Sequence, residues 1–421
     1  MADLRRKAIL AALVAVGVAL PAATISAYVG ARILTDAPRP RDRHPAHRAR
    51  FVGDSDTIQL IGVSAGVRGS WGLDFAGGYA RIGPVRSLVE TEYGPAAIRP
   101  FHLMDGAIPA VRDDRRRGDR RRGQRRRDDD RRQDDRRHDR LPPPWPVPVY
   151  LSPYAFPDDP QILARRCGAD WSVDAVRTPQ GVWLPAWRFV PPDASSNWVI
   201  GIHGRGARRT ELFRLMEICL RAGMPCLVVS YRTDAWTASP APLTTLGQTE
   251  WEDVAAAVRH VVNHGAGDVV LAGCSLGGGI AAQVLRRSAI APYVAGVILD
   301  SPALTWAPIV QHVARGRRLP GLFVPVVMAA ARLRSRIDWV VLDHLAAAAD
   351  FRHPILLIHG SADPVVPVWL SDALAEARPD LVTYWRPEGA GHVTAWNHDP
   401  ETYERSVQRF LEERQSLTSA V

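Results

Sequence analysis

Val269-Val-Leu-Ala-Gly-Cys-Ser-Leu-Gly-Gly-Gly279 sets four apolar, β-prone residues directly against a serine held between glycines. Ile280-Ala-Ala-Gln-Val-Leu-Arg-Arg287 follows with helical periodicity, so the stretch reads as strand, sharp turn, helix. Gly273 and Gly277 suit such a turn because side chains there would crowd a strained backbone. The turn leaves Ser275 exposed at the N-terminus of the helix beginning at Leu276, where the helix dipole favours a developing oxyanion. Ser275 is the candidate nucleophile.

A hydroxyl has little nucleophilicity near neutral pH until a base takes its proton, so an imidazole is required nearby. Of the 13 histidines, His392 lies in Pro387-Glu-Gly-Ala-Gly-His-Val393, a glycine-rich loop directly after an apolar run. Loops at the C-terminal ends of parallel strands converge on one rim, the rim that carries Ser275. Ile358-His-Gly-Ser-Ala-Asp363 supplies a carboxylate in the same kind of position, and Asp300, in Asp300-Ser-Pro302, is the alternative. An oxyanion hole needs two aimed backbone N–H groups. Leu276 offers one; Arg205, in the turn His203-Gly-Arg-Gly-Ala207, offers the other, with Gly204 or Gly206 as fallback. His203 and His359 read as structural loop histidines.

The pattern around this constellation repeats. Apolar, β-branched runs stand at 198–202, 226–230, 269–272, 297–299, 355–358 and 381–384, with helix-period stretches between most of them. Strand and helix alternating at this spacing predict an α/β fold with a mostly parallel sheet covered on both faces. The long gap at about 302–353 interrupts the alternation with helical sequence, where a lid over the strand ends is expected. Its stretch Leu319–Leu333 is apolar and flanked by arginines, so it reads either as a flap that meets lipid or as a helix packed on the sheet. Trp236, Trp306, Trp339 and Trp396 are candidates for lining an acyl pocket.

Composition removes several chemistries. The only lysine is Lys7, which excludes a Schiff-base lysine, a Ser–Lys dyad and a P-loop from the rest of the chain. The formal charge of +9 is concentrated in residues 112–140, where 15 arginines meet 9 aspartates. What remains is nearly neutral and gives no footprint for nucleic acid. That tract, with the proline-rich 141–148 after it, predicts a disordered linker over 111–148. Ahead of it, 51–110 reads as a small β-rich accessory module, and 149–415 as the catalytic domain. Cys167, Cys219, Cys226 and Cys274 read as buried thiols, with Cys219–Cys226 the pair for a disulfide if one forms. His260 and His264 have metal-ligand spacing but no third ligand nearby, and no metal or organic cofactor is implied.

Ala8–Ala31 runs without a charge after Arg5, Arg6 and Lys7, long enough for a single membrane-spanning helix. Residues 1–34 are therefore expected to be a membrane anchor, or else a signal peptide cleaved near Ala27 or Ala31, which would make the protein secreted. Arginines on both flanks leave the side of the membrane open.

HGRGARR at 203–209, GCSLGG at 273–278, HGSADPVVP at 359–367 and GAGH at 389–392 stand in order over half the chain. The stretch from about Asn197 to Glu412 thereby resembles the α/β-hydrolase superfamily, in its serine-hydrolase branch of esterases, lipases and S9/S33-type peptidases. Residues 51–110 resemble the N-terminal region of actinobacterial α/β-hydrolases. The resemblance implies an eight-stranded, mostly parallel sheet and a Ser275–His392–Asp363 triad. Three functions follow as expectations: a membrane-tethered esterase acting on small or lipid-like esters, an aminopeptidase or amidase using Glu388 or Asp234 to hold a substrate ammonium, or a non-enzymatic membrane scaffold.

Overall fold

In the computed structural model, the residues described are 29–36, 47–51, 56–61, 68–91, 94–108, 147–234, 237 and 241–418. The Arg/Asp tract, residues 1–28 and Trp236 lie outside them. The chain divides into two units, residues 42–162 and residues 1–41 with 163–421.

The smaller unit is an antiparallel sheet of seven strands: β1 (His47–Phe51), β2 (Thr57–Ile61), β3 (Trp71–Phe75), β4 (Gly78–Ile82), β5 (Ser87–Thr91), β6 (Gly94–Gly106) and β7 (Val147–Ser152). Their order is β2-β1-β7-β3-β4-β6-β5, and a further β2–β6 pairing closes the sheet on itself. Closure leaves no long edge to template association. Inside lie Ile58, Leu60, Leu73, Ile82 and Val149, with Phe51 edge-on to Phe75 and Phe101. Strand β7 corrects the expected boundaries. Residues 147–152, expected at the junction of linker and catalytic domain, pair with β1 and β3 and complete this sheet. The reason is apolar burial: Val149 is fully buried in the closed core. The strands on either side of the Arg/Asp tract, β6 and β7, both belong to this sheet, and the tract, expected as a linker, lies outside the described residues.

The larger unit holds an eight-stranded sheet in the order β15-β14-β13-β12-β10-β11-β9-β8. Strands β10 (Trp198–Ile202), β11 (Cys226–Val229), β12 (Val269–Cys274), β13 (Val294–Asp300), β14 (Ile355–Ile358) and β15 (Val382–Trp385) run parallel. Strands β8 (Asp170–Arg177) and β9 (Trp183–Val190) form an antiparallel hairpin on one edge, and the parallel character stops at the β9–β11 pairing. Strands β11, β12 and β14 are buried at every position, as strands covered on both faces must be. Between β13 and β14 stand two helices, Trp306–Gly316 and Phe323–Ser335. The second leaves Leu322, Val326 and Leu333 exposed and buries Met328 and Ala331.

Residues 29–36 also belong to this unit, helical through 35, with Ala31 and Thr35 buried and Leu34 packed on the main core. Gly30 and Ala31, expected at the end of the membrane run, are thereby part of the folded protein, and cleavage after Ala31 would cut through a packed element. No helix of the described residues is long and apolar enough to cross a membrane; the rest of the uncharged run lies outside them.

Candidate active site

Strand β12 ends at Cys274 and the helix Leu276–Arg287 starts one residue after Ser275. Ser275 sits at φ 52°, ψ −115°, a conformation that L-residues hold only when their surroundings impose it. The glycines show how. A Cβ on Gly277 would lie 2.1 Å from the Ile202 carbonyl oxygen, and one on Gly273 would lie 2.5 Å from that of Gly277. The helix therefore starts hard against the end of β10, and the Ser275 hydroxyl stands on the rim.

His392 and Asp363 meet it there. Ser275 Oγ lies 3.0 Å from His392 Nε2, and His392 Nδ1 lies 2.7 Å from Asp363 Oδ2. Asp363 follows β14 and His392 follows β15, so adjacent parallel strands deliver the pair. The carboxylate is saturated. Its Oδ1 accepts the N–H groups of Val365 (2.7 Å) and Val366 (2.9 Å), and its Oδ2 also faces His359 Nε2 at 3.1 Å. Burial alone would raise its pKa, but the bonds from His359 and His392 hold the carboxyl well below the usual range. His359 is itself fixed by the Ser371 hydroxyl at 2.7 Å. It touches Asp363 and not Ser275 or His392. Asp300 is turned elsewhere: its oxygens accept from Tyr403 Oη and the Ser301 hydroxyl, each at 3.3 Å, and burial raises its pKa.

The turn after β10 abuts the nucleophile, since a Cβ on Gly204 would lie 3.2 Å from Ser275 Cβ. The Gly204 N–H donates to Glu211 Oε2 at 2.7 Å. The next peptide carries the Arg205 N–H. Its oxygen, on Gly204, accepts from His203 Nδ1 (2.9 Å), Tyr231 Oη (3.2 Å) and the Ala207 N–H (3.2 Å). A planar trans peptide pinned at its oxygen points its N–H the opposite way. The other nitrogen of His203 faces Asp234 Oδ2 at 2.8 Å, an arrangement that favours the imidazolium charge. Burial opposes that charge, but Asp234, Gly204 and Glu211 outweigh it and raise the pKa.

The histidine loop is gripped too. Val393 adopts φ 51°; its N–H donates to the Ser301 hydroxyl at 3.1 Å and its carbonyl accepts from Arg214 Nη2 at 2.7 Å. Arg214, buried on the helix Phe213–Arg221, also donates to Asn397 Oδ1. Glu211, Arg214, Tyr231 and Asp234 were not singled out for these roles by any local motif; Asp234 was expected only as an ammonium anchor. Of the tryptophans, Trp306 and Trp396 are buried in packing, and Trp339 donates to the Met328 carbonyl at 3.1 Å. All four cysteines are free thiols. His260 pairs with Asp174 at 3.1 Å.

Residues 199–405 match the model of the alpha/beta hydrolase family. The chain belongs to that family over this stretch. The uncharacterized protein YqkD of Bacillus subtilis (strain 168) is 23% identical over 234 residues, which cover 54% of this chain and 75% of its own. Among solved structures, the Pyrococcus furiosus esterase Pf2001 is 21% identical with a TM-score of 0.49, covering 59% of this α/β hydrolase and 93% of its own chain. Est1E from Butyrivibrio proteoclasticus, solved with ferulic acid, is 17% identical with a TM-score of 0.45 over 58% of this chain and 99% of its own. At such identities the likeness carries nothing about substrate.

Proposed function

We propose that this α/β hydrolase is a serine hydrolase that cleaves carboxylic esters through an acyl-enzyme on Ser275. The observation that carries the reading is the unbroken hydrogen-bonded chain from Ser275 Oγ through His392 to Asp363. His392 Nε2 takes the hydroxyl proton as Oγ attacks the ester carbonyl, and Asp363 holds the imidazole in the tautomer with hydrogen on Nδ1. The tetrahedral oxyanion is met by the N–H groups of Leu276 and Arg205. Collapse expels the alcohol, which leaves with the proton from His392; water activated by the same imidazole then releases the acid.

Ester is favoured over amide or peptide by the state of Asp234. Both His203 Nε2 and the Tyr231 N–H engage its Oδ2, so it is committed to the oxyanion turn and not to a substrate ammonium. The exposed apolar residues of the helix Phe323–Ser335 support a lipid-like acyl group, and the uncharged run Ala8–Ala31 supports attachment to a membrane. The test is a series of p-nitrophenyl esters from acetate to decanoate on the full chain in detergent micelles, beside Ser275→Ala. Turnover rising with chain length and vanishing in the variant is expected. A variant that retains turnover would remove Ser275 as nucleophile, and a maximum at acetate would remove the lipid-like acyl group.

A further inference from the structure

Residues 29–36 contact the helix Phe323–Ser335, the segment at 243–244 and the side chain of Arg205. Gly30 lies under the helix Phe323–Ser335, so close that a Cβ there would sit 2.7 Å from Val327 Cγ2. Asp36 Oδ1 accepts from Arg334 Nη2 of the same helix at 2.6 Å, and Asp36 Oδ2 accepts from Arg32 Nε at 3.0 Å. Asp36 bridges to Leu243, and the Thr244 N–H donates to the Thr35 carbonyl at 2.9 Å. The decisive contact is with Arg205. Its guanidinium Nη2 donates to the carbonyls of Ile33 (2.7 Å) and Asp36 (3.0 Å). The last carbonyls of a helix lack intrahelical partners, and an arginine there satisfies them and suits the dipole. One residue therefore caps the N-terminal helix with its side chain while its backbone N–H sits at the oxyanion position.

We propose that residues 29–36 are a positioning strap, which holds the Arg205 peptide and the helix Phe323–Ser335 in their working places, so that catalysis at full rate requires the strap to be docked. The proposal rests on the esterase reading for its kinetic consequence, but the docking is a property of the fold.

The experiment uses the full chain in detergent micelles as wild type, Arg205→Ala, Asp36→Ala and the double variant. Arg205→Ala keeps the backbone N–H and removes only the grip on the strap; Asp36→Ala removes the ion pair to Arg334 and leaves the backbone carbonyl. Each single variant is expected to lower kcat roughly tenfold, short of the ~10²–10³ for outright loss of an oxyanion donor. KM should stay within about twofold, since the contact acts in the transition state. The double variant should be no slower than the worse single one, because both act through one element. Amide hydrogen exchange over 203–207 and 323–335 is read in parallel and should accelerate in Asp36→Ala. Single variants with wild-type kcat overturn the proposal. If Ser275 of the wild type does not react with a fluorophosphonate, the esterase reading fails by itself; exchange then decides the strap, and unchanged exchange over 203–207 overturns it.

Discussion

Glu211 offers the sharpest quantitative check on the oxyanion turn. Its buried carboxylate accepts the Gly204 N–H at 2.7 Å, and a hydrogen bond of that kind to a charged group contributes about 1.5–3 kcal/mol. Glu211→Ala removes the acceptor and lets the Gly204 peptide rotate, which disturbs the adjoining peptide that carries the Arg205 N–H. If most of that energy reports on the aim of one donor, kcat falls about 10- to 100-fold, equivalent to ~1.4–2.8 kcal/mol of barrier. Glu211→Gln keeps a carbonyl oxygen within reach of Gly204, so kcat should recover to within about threefold of wild type, equivalent to ~0.6 kcal/mol of barrier. The assay is steady-state hydrolysis of a p-nitrophenyl ester, with Tm measured for each variant to separate mis-aiming from unfolding. An alanine variant with wild-type kcat would refute the reasoning, as would a glutamine variant as slow as alanine with an unchanged Tm.

Two other perturbations follow from the same network. Asp363→Asn would place an amide against two imidazole nitrogens, His392 Nδ1 and His359 Nε2, and so favour the wrong His392 tautomer; kcat should drop about 10⁴-fold with the fold intact, and a loss below tenfold in an ester assay would count against Asp363 as the orienting acid. His344 is buried and its Nδ1 accepts from Arg286 Nη1 at 3.1 Å; burial first, and Arg286 second, lower its pKa to about 3. With the folded pKa below that of the unfolded chain, stability is fully present above about pH 6.5 and is lost on acidification at ~1.4 kcal/mol per pH unit, or roughly 2 kcal/mol by pH 5. His344→Asn, which keeps an acceptor near Arg286 and cannot titrate, should flatten that limb in a Tm series between pH 7 and pH 5; identical slopes in both proteins would sink the assignment.

What could be read from the sequence is what is written locally. Ser275, Asp363 and His392 each follow an apolar strand inside a glycine-rich turn, and that adjacency is enough to place them on one rim. The turn His203–Ala207 was legible for the same reason, although the bond from the Gly204 N–H to Glu211 Oε2 was not. The roles of Glu211, Arg214 and Tyr231 were not legible, because they depend on partners brought together by the fold, as in Arg214 reaching Val393 and Asn397. Strand β7 was assigned to the wrong unit because a short Val-Pro-Val-Tyr run does not state its partner; the closed sheet chose it. The edge hairpin β8–β9 also went unmarked, since its strands precede the alternation that announces the parallel sheet. The packed segment 29–36 was hidden for a different reason: Gly30 and Ala31 have the apolar character of a membrane run, and only their contacts distinguish them.

Arg214 has a consequence for the order in which the protein is made. Its acceptors, the Val393 carbonyl and the Asn397 side chain, lie within the last 29 of 421 residues, whereas Ser275 and the oxyanion turn are synthesised long before. During translation the nucleophile is therefore built first and stays without its base until the C-terminal segment arrives and is clasped. On the proposed chemistry, a chain broken off ahead of residue 392 carries Ser275 without its base, and its ester hydrolysis should fall to the residual level left when a triad member is missing.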